Sequence, residues 1–225
     1  MKHLLLIAMT ALMFFPACAH AKKGNEAKQT IFVLIENGGT VEDTEAAAET
    51  AKHLLGQLTQ LKNRRATRDA QIVIILSAMP NRVTWSGTPE QLLQQGQAVL
   101  DLIQFKPTFS DLVLAFQQID TTLRLSQSDD HRLYWIGPAI HVPFSSKSDE
   151  AIKVQVPQDV PKELNLVELA NMCSTFKIYN IHADQDEIYL NYLTKTGVMD
   201  AVAQGILDFA IMDAAQTTAH LDDLL

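Results

Sequence analysis

Cysteine is scarce in this sequence, which contains only Cys18 and Cys173. If the N-terminal segment that contains Cys18 is removed, only one thiol remains, and a single thiol cannot form an intramolecular disulfide. A disulfide scaffold is therefore excluded, and a hydrophobic core must hold the fold together. Cys173 shares an apolar stripe at helical spacing with Leu166, Leu169 and Ala170, so we expect its thiol to be buried rather than reactive.

Positive charge is also in short supply, with 18 lysine and arginine residues against 26 aspartate and glutamate residues. The resulting formal net charge of −8 repels a phosphate backbone. The densest basic run, residues 63–68 (NRRATR), is typical of a solvated helix C-terminus. We therefore predict that the chain does not bind nucleic acid.

Long apolar runs are absent, and none reaches the roughly 20 residues that a membrane-spanning helix needs. The longest run, residues 4–15 (LLLIAMTALMFF), follows the positive charge of Lys2 and precedes the helix breaker Pro16. A small-x-small sequence, which signal peptidases cleave, then ends at Ala21. This order predicts a secretory signal peptide over residues 1–21 and no transmembrane segment in the mature chain.

A second processing route competes with cleavage after Ala21. Residues 15–18 (FPAC) end in a small residue followed by Cys18, as a bacterial lipoprotein signal does. Such a signal usually has leucine three residues before the cysteine, where this chain has Phe15, so we favour cleavage after Ala21. Both routes predict an exported protein, soluble in the periplasm or, if Cys18 is lipidated, tethered to a membrane. Residues 22–29 form a polar lead-in that we predict to be disordered.

Several catalytic and nucleotide-binding signatures are missing as well. The sequence has no G-x-S-x-G elbow, no H-E-x-x-H helix, no G-x-G-x-x-G fingerprint and no P-loop. His182 lies two residues before Asp184, but a single histidine beside a loop carboxylate is more often a solvated pair than half of a catalytic site. These absences favour a role without catalysis and without a cofactor.

The chain does contain a regular alternation of strand and helix patterns. Apolar runs at residues 30–36 (TIFVLIE) and 71–77 (QIVIILS) are typical of strands buried on both faces of a parallel sheet. Further strands are predicted at residues 132–136 and 176–181, and residues 82–86 (RVTWS) alternate as a short edge strand does. We predict an α/β, Rossmann-like, mostly parallel sheet with helices on both faces and one antiparallel edge strand.

Amphipathic helices are predicted between these strands. The apolar stripe of residues 47–61 indicates the first helix, and Thr88 has the cap and proline spacing of a helix start. The pattern defines a single domain over residues 30–225, with an irregular insertion near residues 139–162 in which residues 152–156 are a candidate strand. Further helices are predicted from residue 111 onward and over residues 161–173, 187–195 and 199–213.

The turn after the first predicted strand carries the most specific signal. It consists of Glu36, Asn37, Gly38, Gly39 and Thr40, at the strand end where open α/β sheets bind ligands. This turn resembles the first motif of the von Willebrand factor type A (vWA) domain, where Asp-x-Ser-x-Ser holds a divalent cation. On that resemblance Glu36 takes the aspartate position, Gly38 the first serine and Thr40 the second.

The order of elements extends the resemblance over most of residues 29–213. In vWA-like domains a metal-binding threonine lies in the loop before a later helix, and Thr108 matches it here. Where the family has its later metal-binding aspartate, this chain has Gly137 and Pro138. The resemblance therefore implies a vWA-like fold with a degenerate metal-ion-dependent adhesion site.

We expect this degenerate site not to hold a functional metal ion. Its remaining side-chain oxygen ligands are Glu36, Thr40 and Thr108. Mg²⁺ requires near-octahedral oxygen coordination, and two of the family's five side-chain positions have lost their oxygen. Helix capping is the alternative role for Thr40 and Thr108. We therefore predict no cofactor and no functional divalent cation.

The resemblance also implies a function, because vWA-like domains mostly bind proteins through the top of the sheet. We predict a non-catalytic protein-binding module of the bacterial cell envelope, within a larger envelope, secretion or conjugation-type assembly. The alternative is a periplasmic enzyme or small-ligand binder in the same crevice, with Glu36 or Asp184 as acid or base. The candidate binding surface contains Asn37, Gly38, Gly39, Gly137, Pro138, His141, His182 and Asp184.

Overall fold

The computed structural model describes residues 29–106, 109–141 and 158–225. Several sequence predictions lie outside these ranges and are not addressed by the structure. They are the signal peptide, Cys18, all but the last residue of the lead-in over residues 22–29, Thr108 and the candidate strand over residues 152–156.

The described residues form one six-stranded sheet. The strands are β1 (Gln29–Ile35), β2 (Gln71–Leu76), β3 (Trp85–Gly87), β4 (Asp130–Ile136), β5 (Thr175–Ile181) and β6 (Asp208–Asp213). Their order in the sheet is β3-β2-β1-β4-β5-β6. Strands β1, β2, β4, β5 and β6 are parallel, while β3 pairs with β2 in the antiparallel direction at one edge. The predicted fold class is therefore confirmed.

Two apolar clusters, one on each face of the sheet, explain the unbroken apolar runs. Phe32 and Leu34 of β1 belong to one cluster, and Val33, which lies between them in the strand, belongs to the other. A strand covered by helices on both faces needs apolar side chains in both directions. The helices are α1 (Thr44–Gln60), α2 (Pro89–Leu102), α3 (Leu112–Leu125), α4 (Leu166–Met172), α5 (Asp186–Lys195), α6 (Val198–Ala203) and α7 (Ala214–Ala219).

Side-chain caps begin several of these helices. Thr88 forms the predicted capping box with Gln91, and aspartates cap α1, α3 and α7. Cys173, directly after α4, is buried as predicted. No helix within the described ranges is long and apolar enough to cross a bilayer.

The predicted helix over residues 199–213 is wrong. The segment contains α6, a turn in which Gly205 adopts φ +68°, and then strand β6. The strand sequence DFAIMD contains alanine and methionine, which favour helices in isolation. Parallel pairing with β5 from Thr175↔Asp208 onward overrides that local preference.

Leu34 offers a direct test of the strand assignment. It has no exposed surface in the middle of β1, so Leu34→Asp would bury a charge that has no partner. We expect the variant to lose roughly 4 kcal/mol or more of unfolding free energy, enough to unfold a domain of ordinary stability. Leu93→Asp is the matched control, because Leu93 on α2 is 47% exposed. The melting temperatures of both variants can be measured by circular dichroism. Equal melting temperatures for the two variants would contradict this strand register.

Candidate functional site

A pocket of about 350 Å³ opens at the carboxyl ends of β1, β4, β5 and β6. Its walls are the start of α1, the loop after β4, the end of β5 and the start of α7. Most of the lining is alanine, valine, isoleucine or proline. An apolar concavity at the carboxyl edge of an open α/β sheet is the usual place for a ligand in this class of fold.

The predicted site residues divide into two groups around this pocket. Thr40, Gly137, Pro138 and His182 belong to its lining. The structure therefore brings together candidates from three different loops. Those outside the lining are Glu36, Asn37, Gly38, Gly39, His141 and Asp184.

Glu36 is sealed beneath the loop that follows β4. Its side chain has no exposed surface, and its Oε1 accepts hydrogen bonds from Trp135 Nε1 at 2.9 Å and from the Ala139 backbone N–H at 2.8 Å. Phe116 and Tyr189 pack edge-on against Trp135, with ring centroids 4.9 and 5.6 Å from its ring. These contacts fix the indole that binds the carboxyl group.

Gly137 makes that sealed arrangement sterically possible. It adopts φ +148°, and a Cβ there would lie 2.5 to 2.7 Å from the Cβ, Cγ and Cδ atoms of Glu36. Ala139 follows with φ +59°, and its carbonyl accepts a hydrogen bond from the Tyr189 hydroxyl at 3.1 Å. The loop is thus held between Glu36 and Tyr189 in a conformation that glycine permits.

Burial raises the pKa of Glu36 to about 8. The hydrogen bonds from Ala139 and Trp135 oppose that shift, and the nearby Thr40 hydroxyl opposes it to a smaller degree. Desolvation outweighs these contacts. Glu36 Oε2 and Thr40 Oγ1 are both buried and make no hydrogen bond of normal geometry in the described structure. Near neutral pH this carboxyl group is therefore largely protonated.

Asn37 has a structural role, because its hydrogen bonds link separate segments of the fold. Its side chain accepts a hydrogen bond from Ala78 N at 3.0 Å and donates one to the Gln104 carbonyl at 2.9 Å, and its backbone N–H donates to Ser77 Oγ at 3.2 Å. Only 3% of Asn37 is exposed. It connects the ends of β1 and β2 with the segment after α2 and presents little surface to a partner.

The two predicted histidines differ in their surroundings. His182 Nδ1 accepts a hydrogen bond from the Asp184 backbone N–H at 3.2 Å, while the Asp184 side chain is 74% exposed. His141 is half-buried, and its Nδ1 has no hydrogen-bond partner in the described structure. His182 lines the pocket, and its Nδ1 contacts the Asp184 backbone N–H and lies 3.9 Å from Oδ2 of the Asp184 carboxylate.

Asn180 is a pocket residue that the sequence analysis missed. It adopts φ +58° at an irregularity near the end of β5, where the pairing register with β6 shifts. Its Nδ2 donates to Thr50 Oγ1 and its backbone N–H donates to Thr217 Oγ1, both at 3.0 Å, which joins β5 to α1 and α7. Asparagine tolerates this left-handed conformation better than most residues, a signal hidden by the strand pattern FKIYNI.

Three acidic pocket residues were also missed as site candidates. Glu42 and Asp43 precede α1, and Asp213 precedes α7. Asp43 Oδ1 accepts from Ala46 N at 2.9 Å, and Asp213 Oδ1 accepts from Gln216 N at 2.7 Å. The local sequence around these acids does not mark a site, and only the fold places two capped helix starts beside one pocket.

The metal interpretation rests on Glu36 and Thr40, since Thr108 lies outside the described ranges. Glu36 Oε2 and Thr40 Oγ1 are adjacent buried oxygens that lack hydrogen bonds in the described structure, which is compatible with ligation. A cation at that point would require the Glu36 carboxylate to be charged in a fully buried position. No group of three or more histidine, cysteine, aspartate or glutamate residues is clustered for a metal ion within the described part of the chain.

We expect millimolar Mg²⁺ or Mn²⁺ to leave the melting temperature unchanged. One buried carboxyl group with a raised pKa is a poor ligand for a hard cation. A site with a Kd of about 10 μM would add roughly 2.7 kcal/mol of unfolding free energy at about a hundredfold excess of metal. Melts with metal or with chelator test this, and a rise in melting temperature that Glu36→Gln abolishes would restore Glu36, Thr40 and Thr108 as ligands.

Comparison with known proteins gives structural neighbours only. No protein-family model and no curated protein matches this chain. The pilus adhesin SpaC from Lactobacillus rhamnosus GG is similar over 89% of this chain and 30% of its own length, with a TM-score of 0.53 and 12% identity. A von Willebrand factor type A structure from Catenulispora acidiphila has a TM-score of 0.49 and 11% identity over 88% of this chain and 42% of its own. The PilB minor pilin from Streptococcus sanguinis has a TM-score of 0.48 and 8% identity, over 90% of this chain and 61% of its own.

At these identities a likeness concerns the fold alone. The chain spans about 30% of the length of the SpaC structure, so the activity of that whole protein does not transfer to it. The mostly parallel sheet, the antiparallel edge strand and the helices on both faces agree with what the resemblance implied. The chain therefore has the vWA-like fold that its sequence predicts.

Proposed function

We propose that this chain is a non-catalytic protein-binding module of the bacterial cell envelope, and that a partner protein contacts the carboxyl edge of its sheet. The observation that carries the proposal is the position of the pocket. It opens at the edge where this fold class binds ligands, and its walls are mainly apolar. Surfaces of this kind gain binding free energy from burial and need no reactive group.

The predicted export signal and one structural neighbour support the wider setting of this proposal. The signal peptide predicted over residues 1–21 supports export, to the periplasm or to the outer membrane if Cys18 is lipidated. The similar fold of a pilus adhesin supports an adhesive role at the cell surface or within an envelope, secretion or conjugation-type assembly.

An enzyme or small-ligand binder is the alternative, and one observation favours it. The raised pKa of Glu36 is what a general acid or base near neutral pH requires. However, that carboxyl group has no exposed surface, it is tied to Trp135 and Ala139, and it does not line the pocket. The separation of the perturbed group from the open pocket is why we favour binding over catalysis.

Site-specific photocrosslinking in intact cells tests the proposal. A photoreactive residue at exposed Ala215, beside the pocket, should crosslink to one discrete partner protein. The control position is Asp129, which is exposed and lies directly before β4, at the end of the sheet where the parallel strands begin. A photoreactive residue there should not capture that partner. Equal capture at both positions, or no crosslink at Ala215 in the native host, would refute binding at the pocket edge.

A further inference from the structure

Strand β6 forms an open edge of the sheet. On one side it pairs with β5 in the parallel direction, and on the other side no strand is found within the described ranges. Its sequence DFAIMD contains neither proline nor lysine, two residues that commonly protect such an edge from pairing. Its four central residues are only partly buried. The strand is therefore suited to pair with a further strand on its outer side.

The backbone groups of Phe209 and Ile211 face that outer side. The Asp208 N–H donates to the Ser174 carbonyl at 2.9 Å, which lies toward β5. Successive residues of a strand direct their N–H and C=O groups to opposite sides, so those of Phe209 and Ile211 point away from β5. Neither residue has a backbone hydrogen bond on the outer side in the described structure.

Hydrogen bonds at both ends of β6 limit the open edge to these two residues. Before them, the Leu207 N–H donates to the Ala201 carbonyl at 3.3 Å. After them, the Asp213 N–H donates to Gln216 Oε1 at 3.2 Å, in the capping box of α7. The open N–H and C=O groups are therefore placed symmetrically about Ala210.

We propose that β6 pairs in the antiparallel direction with β6 of a second copy of this chain, around a twofold axis at Ala210. In this register Phe209 of each copy lies opposite Ile211 of the other, and both pairs exchange two hydrogen bonds. All the open groups of both copies are then satisfied. A shift of one residue would place outward groups opposite inward ones, and a shift of two would need the N–H of Leu207 or Asp213, which is already bonded.

Apolar side chains on one face of the sheet suit this register. Phe209 and Ile211 both pack against the same core cluster, and the Phe209 ring contacts Phe176 edge-on with centroids 6.0 Å apart. Across the axis each phenylalanine would lie beside the isoleucine of the other copy. Aromatic and β-branched residues stabilise a sheet when they form such cross-strand pairs. The edge is therefore complementary to itself, as a twofold interface requires.

The charges of β6 do not oppose this pairing. Asp208 would lie opposite Met212 of the second copy, and Ala210 would lie opposite its own equivalent. Within its own copy, the Asp208 carboxylate contacts Lys177 Nζ at 3.2 Å, which offsets its charge. The register thus avoids like charges directly opposite one another, which destabilise a sheet.

The dimer would have two separate pocket edges. Antiparallel pairing places the carboxyl ends of the two sets of strands at opposite ends of one continuous sheet, so the two pockets would face in opposite directions. If the proposed function is right, one dimer would hold two partner proteins. The pairing itself does not rest on that function, because it involves the edge of β6 and not the pocket opening.

Cysteine crosslinking tests the register. Residues opposite each other in a non-hydrogen-bonded antiparallel pair have Cα atoms about 4.5 Å apart, which a disulfide can span. Ala210→Cys in the protein purified after export should therefore give a disulfide-linked dimer under mild oxidation. Asp208→Cys is the matched control, since its side chain is more exposed but its two copies would be roughly 14 Å apart along the strands. Wild type, whose Cys173 is buried, gives the background.

Charge exchange at the axis tests the pairing without a covalent link. Sedimentation equilibrium over a series of protein concentrations should show that wild type dimerises. Ala210→Lys and Ala210→Glu each place two like charges opposite one another, so each alone should dimerise about fivefold or more weakly. An equal mixture of the two should recover a dimer, which also shows that both variants are folded.

The assignment to a second copy fails on any of four results. These are a disulfide yield for Ala210→Cys no higher than for Asp208→Cys, a wild-type protein that sediments as a monomer throughout, and a mixture of the two charged variants that does not recover the dimer. The fourth is a disulfide in intact cells between Ala210→Cys and a different protein, which would show that the edge of β6 receives a strand of that protein instead.

Discussion

Replacing Gly137 with alanine is expected to lower the unfolding free energy by about 3 to 5 kcal/mol, which approaches the total stability of an ordinary domain. The new Cβ would lie 2.5 Å from Glu36 Cβ, a contact that carbon atoms cannot make without moving the backbone. Glu36 cannot withdraw easily, because its carboxyl group is tied to Trp135 and Ala139. The strained φ of +148° adds to that cost.

Gly205→Ala is the matched control for backbone strain. Gly205 also has a positive φ, +68°, but a Cβ there would meet no atom within 4 Å. That variant should lose only about 1 kcal/mol, the cost of the left-handed conformation itself. Urea unfolding of both variants gives the comparison. Equal losses of unfolding free energy in the two variants would show that the loop after β4 is not in close contact with Glu36.

Replacing Glu36 with glutamine is expected to remove a large pH dependence of stability. The folded-state pKa of about 8 lies above the ordinary value of 4.5, so the folded protein binds more protons than the unfolded chain between these limits. Stability from this group is therefore complete below pH 4.5 and is lost as the pH rises through 8. The full shift corresponds to an upper limit of about 5 kcal/mol.

The difference in unfolding free energy between wild type and Glu36→Gln, measured as a function of pH, isolates this contribution. Glutamine keeps an oxygen that can accept from Trp135 and Ala139 but has no charge to bury, so Glu36→Gln should match wild type near pH 5. By pH 9 it should be more stable than wild type by a few kcal/mol. Glu163→Gln, at an exposed position, serves as the control and should leave the profile unchanged. Parallel wild-type and Glu36→Gln profiles, measured by urea unfolding with chelator present, would contradict a buried Glu36.

The sheet could be predicted from the sequence because its central strands are buried on both faces. A strand such as β1 must then be apolar at every position, which is visible without knowledge of its neighbours. Strand β6 could not be predicted in this way. It lies at an edge of the sheet, is only partly buried, and consists of residues that also suit a helix.

The candidate site was predictable in its place but not in its contacts. The turn after β1 does lie at the carboxyl edge of the sheet, as the resemblance implied. The partners that bury Glu36 and Asn37 come from residues such as Trp135, Ala139 and Gln104, far along the chain. Asn180 was overlooked for the same reason, since its role depends on Thr50 and Thr217. Contacts between distant residues leave no local pattern in the sequence.

Blocking the opening of the pocket is the strictest test of whether a partner protein binds at the pocket edge. The measurement is the amount of the partner identified by the Ala215 crosslink that is retained by the immobilised protein. Exposed Ala183 lies in the pocket lining, and Ala183→Trp would fill the opening. Ala203→Trp makes the same change at an exposed position at the end of α6, outside that lining. We expect Ala183→Trp to abolish retention of the partner and Ala203→Trp to preserve it. Full retention by the Ala183→Trp variant would show that the partner does not bind at the pocket.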